Sequence, residues 1–388
     1  MSTTIDKPNP SGKYFGTSGD DYIYTPLGSS IIGTTGNDYV DGGFYSGGSG
    51  MSSIDYSQLG LTTAFDVNLV LGSVKFTING NSYTQSLKNI DYVIGVNGKS
   101  GVTNTFTGNS NNNIFGADAL SDTFIGGGGF DTVDFSREAS GVNVNLLKGT
   151  ATLGTITDKL SGISGVYGST AASNTMTGDT NNNVFVTGGK GDIVNGGGGI
   201  DTCVYKPSLS NTTASSSTYS IGVGVSGQIN VGPISTPGVN VDLLTNIQRL
   251  QFTDINLAFD LNSTTGTLTG NAGIVEKILG AVFGPSYLQN QQYIGIGLAY
   301  LDKGTTYSQL VDLALAANNL STPIDVITNV WTNIIGTAPP PMQISNIISS
   351  GILMNTFVMQ AADSVFNTSQ INLVGIAKQG LAYIPHSL

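Results

Sequence analysis

The run Gly126-Gly127-Gly128-Gly129-Phe130-Asp131-Thr132-Val133-Asp134 limits what this chain can fold into more than any other stretch. It returns as Gly196-Gly197-Gly198-Gly199-Ile200-Asp201-Thr202-Cys203-Val204. Both fit Gly-Gly-x-Gly-x-Asp-x-U-x, where U is apolar. The glycines permit a tight turn with positive φ and leave backbone carbonyls exposed. The aspartate adds a carboxylate, so each turn gathers hard oxygen donors of the kind that suit Ca²⁺. The U residue starts a short strand and points inward. Stacked turns of this kind predict a parallel β-roll with calcium between successive turns on one side.

Looser copies surround the two full ones. Gly16 to Ile23 and Gly33 to Val40 keep two glycines and the aspartates Asp21 and Asp38. Asn113 and Asn183 stand in the aspartate slot of Gly108–Phe115 and Gly178–Phe185. Asp122 keeps its slot although the residues before it, Ala117, Asp118 and Leu120, have lost the glycines. Gly188-Gly189-Lys190-Gly191-Asp192 is one residue short, and Gly47-Gly48-Ser49-Gly50 is followed by Ser52 where an aspartate belongs. A lost glycine or aspartate removes ligands, so the array predicts few ions. The metal-ligating candidates are Asp21, Asp38, Asn113, Asp122, Gly126, Gly128, Asp131, Asn183, Asp192, Gly196, Gly198 and Asp201.

A larger repeat contains these small ones. Asn111-Asn112-Asn113-Ile114-Phe115 returns as Asn181-Asn182-Asn183-Val184-Phe185, seventy positions later. The phrases Leu87-Lys88-Asn89-Ile90, Leu160-Ser161-Gly162-Ile163 and Leu244-Thr245-Asn246-Ile247 accompany the blocks, as do Val67-Asn68-Leu69 and Val142-Asn143-Val144-Asn145-Leu146. Such a period predicts a solenoid whose coils bury their apolar faces on one another.

These repeats resemble the RTX (hemolysin-type) family of calcium-binding proteins. The resemblance implies Ca²⁺ as cofactor and export from a Gram-negative cell through type I secretion machinery. It also implies an uncleaved C-terminal signal and folding outside the cell. Val241-Asp242-Leu243-Leu244-Thr245-Asn246-Ile247-Gln248-Arg249-Leu250-Gln251-Phe252 looks like the phrase that closes the β region in such relatives. The start of the sequence shows no basic-plus-apolar signal peptide, and no apolar run reaches transmembrane length.

At 388 residues the chain predicts two domains. The first, 1–262, is the calcium-binding parallel β-roll or β-helix. A hairpin is expected about Gly227. From Asn271 the periodicity is helical: Ile274, Ile278 and Val282 share one row, and Val275, Leu279 and Phe283 another. The second domain, 271–388, is therefore read as all-α and resembles a helical module common beside RTX repeats. Ser308 and Ser321 suit helix caps, Pro323 an early helical position, and Pro339-Pro340-Pro341 a break.

The net charge of −11 rests almost wholly on aspartate, with Glu138 and Glu276 the only glutamates. A bias to the shorter acid fits tight turns and close cation ligands. No basic stripe points to nucleic acid. His386 is the sole histidine, so zinc-protease and Ser–His–Asp chemistry lack their parts, and no enzyme is expected. Cys203 occupies an inward U slot and reads as a small core residue.

A structural or binding role remains. The first expectation is a secreted, calcium-dependent protein that assembles with itself at the cell surface, as an S-layer subunit or an extracellular filament. The alternative is a monomeric adhesin that grips matrix or cell-surface polysaccharide, with Tyr22, Tyr24, Tyr39 and Tyr45 stacking on sugars.

Overall fold

In a computed structural model, the structure describes residues 2–46, 49–60, 65–96, 103–118, 120–188, 190–205, 215–224, 227–261, 270–371 and 379–388. Gly47, Gly48 and Gly189 of the degenerate turns lie outside them. The chain builds two large, mainly parallel sheets of sixteen and twelve strands, followed by helices. It divides into two compact units, residues 1–204 with 231–246, and residues 205–230 with 247–388.

The first unit is the solenoid. Each regular coil is 18 residues long: Thr105 pairs with Thr123 in one sheet and Ile114 with Thr132 in the other. A coil gives three or four residues to each sheet, joined by corners of about six residues, a length set by the turn motif. The central residue of each short strand points inward. Phe106, Phe115, Phe124, Val133, Phe185 and Val194 are fully buried, as is Cys203, which stacks on Phe185. Removing such a side chain from water contributes about 2 kcal/mol. That row of apolar contacts is what holds coil to coil.

Two internal coils carry an insertion. Phe65–Asn68, Ser73–Ile78 and Asn81–Lys88 form an antiparallel meander, and so do Asn143–Asn145, Thr150–Leu153 and Ile156–Ser161. Each meander sits in the sheet in reverse order, its last strand beside the preceding coil and its first beside the following one. Their opening turns match: the side chains of Asn68 and Asn145 accept the N–H of Leu71 and Lys148, and Gly72 and Gly149 follow with positive φ. The two meanders end at Leu-x-Asn/Gly-Ile phrases, and a third such phrase closes the strand Asp242–Thr245. There Asn89, Gly162 and Asn246 take left-handed φ of 54°, 65° and 52°, turning the chain sharply into a corner much shorter than the glycine turns.

The second unit is described by itself. Gly224 N–H donates to the Gln228 carbonyl (2.8 Å), closing the expected hairpin after Tyr219–Val223. Arg249–Gln251, Asn256–Ala258 and Leu381–Tyr383 form antiparallel pairs. The helices are Asn271–Ile278, Gln291–Asp302, Tyr307–Ala317, Pro323–Ile335, Pro341–Ser349, Met354–Ala362 and Val365–Gln370. Val275, Leu279, Val282, Leu298, Val311 and Val330 form their core. Buried Arg249 reaches the carboxylates of Asp260 and Asp302, the latter at 2.7 Å, so the arginine of the β-closing phrase ties strand to helix. The helix caps are Thr306 and Thr322 rather than Ser308 and Ser321; Thr306 forms a capping box with Gln309. No helix among the described residues is long and apolar enough to cross a membrane.

Candidate metal centre

The aspartate slot is the residue that leads into each short strand. In the solenoid these slots fall in two columns, one for each sheet. Within a column, the backbone N–H of one slot donates to the side-chain Oδ1 of the slot in the next coil. Asp21 donates to Asp38 (2.9 Å), Asn104 to Asp122 (3.1 Å) and Asp122 to Asp158 (2.9 Å). Asn174 donates to Asp192 (2.7 Å) and Asp192 to Asp242 (2.7 Å). In the second column Asn113 donates to Asp131 and Asn183 to Asp201, both at 2.8 Å. The slot residues are therefore inter-coil staples as well as ligand candidates. A hydrogen bond to a charged acceptor is worth about 1.5–3 kcal/mol.

What differs between slots is the second oxygen. Asp21 receives the hydroxyl of Thr17 (2.8 Å). Asp192 receives the Gly188 N–H on its second oxygen (2.8 Å), while the Asn174 amide joins the Asn174 N–H on Oδ1 (2.9 Å). Asn113 and Asn183 turn their amide oxygens back on their own turns, accepting from Asn109 and Asp179 at 2.8 Å. These corners satisfy their oxygens from within the chain.

Asp38 is the clearest case. The Gln85 side-chain N–H₂ enters the Gly33–Asp38 turn and meets Asp38 Oδ2 (2.7 Å), the Thr34 carbonyl (2.9 Å) and the Gly36 carbonyl (3.2 Å). Three oxygens of a calcium-type turn converge on a side-chain amide, which takes the place a cation would take. Tyr56 O–H holds the other end of the amide, donating to Gln85 Oε1 (2.6 Å). Burial, with Asp21 adding repulsion, pushes the Asp38 carboxyl up to about 7. The Asn174 amide does the same at its own corner, meeting the Ser169 carbonyl (2.9 Å) and the Ala172 carbonyl (3.3 Å).

Among the described residues, no side-chain amide reaches the Asp131 Oδ2 of the first full glycine turn. Gly128 N–H donates to the Asn109 carbonyl (2.9 Å) and Gly198 N–H to the Asp179 carbonyl (2.8 Å), so each glycine turn stacks on an asparagine turn. Gly126 and Gly196 N–H bond the strands Ile156–Ser161 and Asp242–Thr245 of the following coil. Gly127 has φ 100°, and a Cβ on it would lie 2.6 Å from the Asn109 carbonyl oxygen. Gly126 leaves room for the Asp131 carboxylate: a Cβ there would meet Asp131 Oδ2 at 2.5 Å. That Oδ2 is buried without a hydrogen-bond partner. Burial raises the Asp131 carboxyl and lifts that of Asp201 to about 6, Asp179 adding repulsion.

Beyond the first glycine turn the next corner is the short Gly162 bend. It leaves a cleft of about 230 Å³ between Gly127, Gly128 and Asp131 on one wall and Asp179 and Asn181 on the other. Oxygen-only donors, a glycine cradle and an orphaned carboxylate oxygen fit a hard cation, with Asp131 and the neighbouring carbonyls to hold it. Among the described residues no three His, Cys, Asp or Glu side chains stand together as a preformed metal shell. The donors of a glycine turn are largely backbone carbonyls, which that grouping leaves out.

Sequence reasoning missed the stapling column, the inserted amides of Gln85 and Asn174, and Asp158. No protein-family model matches the chain, and no curated protein matches it in sequence.

Proposed function

We propose that this protein is a secreted, calcium-stabilised structural protein of the bacterial cell surface that assembles with copies of itself, as an S-layer subunit or an extracellular filament. One observation carries the reading: the stacked coils bury an unpartnered carboxylate oxygen of Asp131 against the close-packed backbone of a glycine turn. Such a coil is completed by a cation from outside. Calcium outside a cell supplies it, and the type I route that the repeats imply delivers an unfolded chain there.

Two features support self-assembly. Thr3–Ile5 and Tyr14–Phe15 are the outermost strands of their sheets, so ladder groups there are open to pairing. In the helical unit Met342, Leu353, Val365 and Phe366 are exposed, and the helix Pro341–Ser349 buries no residue.

A second reading, a monomeric adhesin for polysaccharide, is favoured by one patch. Tyr22 stacks on Tyr24 (11° between planes), Phe44 lies 4.4 Å from Tyr24, and Tyr22 and Phe44 are about half exposed. Flat aromatic faces of this size suit sugar rings. Negative-stain electron microscopy with calcium and then with chelator separates the readings. Ordered sheets or filaments that dissolve in chelator support assembly. Dispersed particles in both conditions refute it and make a glycan array the next experiment.

A further inference from the structure

Most buried carboxylates of the solenoid have a donor of their own. Asp41 has the Lys88 ammonium (3.0 Å), Asp134 the Tyr92 hydroxyl (2.5 Å), and Asp38 and Asp192 the amides described above. One corner gathers several carboxylates that each keep an unpartnered oxygen. Asp118, Asp122 and Asp158 are 4%, 2% and 0% exposed, and Asn104 beside them is 0% exposed. Each carboxylate spends one oxygen inside the chain: Asp122 on Asn104 N–H, Asp158 on Asp122 N–H, and Asp118 on the Asn104 amide at 3.1 Å. The remaining oxygens, Asp118 Oδ1, Asp122 Oδ2, Asp158 Oδ2 and Asn104 Oδ1, have no partner. The charged groups acting on these three carboxylates are one another and Glu138, all negative.

Four buried oxygens with no donor call for a proton or a cation, since stranding even one costs about 1–3 kcal/mol. We propose that Asn104, Asp118, Asp122 and Asp158 form a second cation site, outside the glycine repeats, for a hard divalent ion such as calcium. The donors are a carboxylate-rich oxygen set, the class that Ca²⁺ takes and softer metals do not prefer. These carboxylates do not stand together as a preformed shell, so the proposed site requires them to draw together on the ion. The proposal deepens the calcium reading at Asp122 and does not depend on the glycine turns.

Calcium titration calorimetry on chelator-treated full-length protein tests it, comparing wild type, Asp158→Asn, and the double variant Asp131→Ala/Asp201→Ala. Asp158→Asn is expected to lose one binding event while the double variant keeps it. Unchanged stoichiometry and affinity in Asp158→Asn overturns the proposal, as does a wild type that takes up no calcium. Loss in Asp158→Asn with no change in the double variant upholds this site and removes the glycine turns instead. Should Asp158→Asn not fold, Asn104→Asp keeps the question open to test. Adding ligand charge should tighten calcium binding about tenfold or more, and an unchanged affinity refutes the site.

Discussion

Gln85→Glu converts an amide-filled turn into a test of the cation reading. Its N–H₂ makes three contacts with the Gly33–Asp38 turn, of 2.7, 2.9 and 3.2 Å, one of them to a carboxylate. The substitution puts an oxygen where those donors stood, 1% exposed and against Asp38. Two neutral bonds at about 1 kcal/mol and one charged bond at about 2 give a loss of roughly 4 kcal/mol in chelator, before like-charge repulsion is counted. For a unit of this size that lowers Tm by about 10 °C. The same change completes an oxygen-only set, so calcium should restore stability, by about 2.7 kcal/mol at a hundredfold excess over Kd. Thermal melts followed by circular dichroism, with calcium and with chelator, read both effects. Gln85→Leu serves as control, destabilised and not rescued. If Gln85→Glu melts like wild type in chelator, or gains no more from calcium than wild type, the claim that an amide stands in for a cation is wrong.

Three further outcomes follow from the same geometry. Asp131→Ala with Asp201→Ala should weaken calcium-dependent folding, and an unchanged calcium-titrated circular dichroism curve refutes the glycine turns as sites. Glu276 is fully buried with both carboxylate oxygens unpartnered, and burial pushes it up to about 8. Its folded pKa lies above its unfolded value, so the folded state holds a proton that the unfolded state has released. Stability of the helical unit should fall as pH rises from about 4.5 to about 8, by about 1.4 kcal/mol per unit at most. Glu276→Gln should abolish that slope in pH-dependent denaturant melts; an identical slope in the variant refutes it. Arg249→Met strands Asp260 and Asp302 and should cost roughly 3–5 kcal/mol, with Arg249→Met/Asp260→Asn/Asp302→Asn recovering part of it in the same melts. No recovery would show that the arginine acts through packing alone.

The turn chemistry and the inward row were legible because both depend on local spacing. Gly126 to Val133 and Gly196 to Cys203 state a corner and a strand within eight residues, and the coil period repeats them. The Leu-x-Asn/Gly-Ile phrases were visible as repeats, but their left-handed corner at Asn89, Gly162 and Asn246 emerges only when φ is known. The meanders were partly signalled by the matching Asn68 and Asn145. Their reversed order in the sheet was not, because pairing partners are set by the coils on either side. Gln85 and Asp158 carried no local signal. Gln85 meets Asp38 across 47 residues and Asp158 meets Asp122 across 36, distances that only the stacked coil closes. The helix caps were misplaced for a simpler reason: Thr306-x-x-Gln309 is a capping box readable in sequence, and the nearby Ser308 falls inside the first turn.

The central claim is that the intact glycine turns take a cation and the amide-filled turn does not. Anomalous diffraction from crystals grown in calcium, or with a lanthanide in its place, addresses it at single sites. The account predicts an ion peak beside Asp131 and another beside Asp201, and none beside Asp38 where the Gln85 amide sits. A peak against Gln85, or glycine turns left without ions at millimolar calcium, would contradict it.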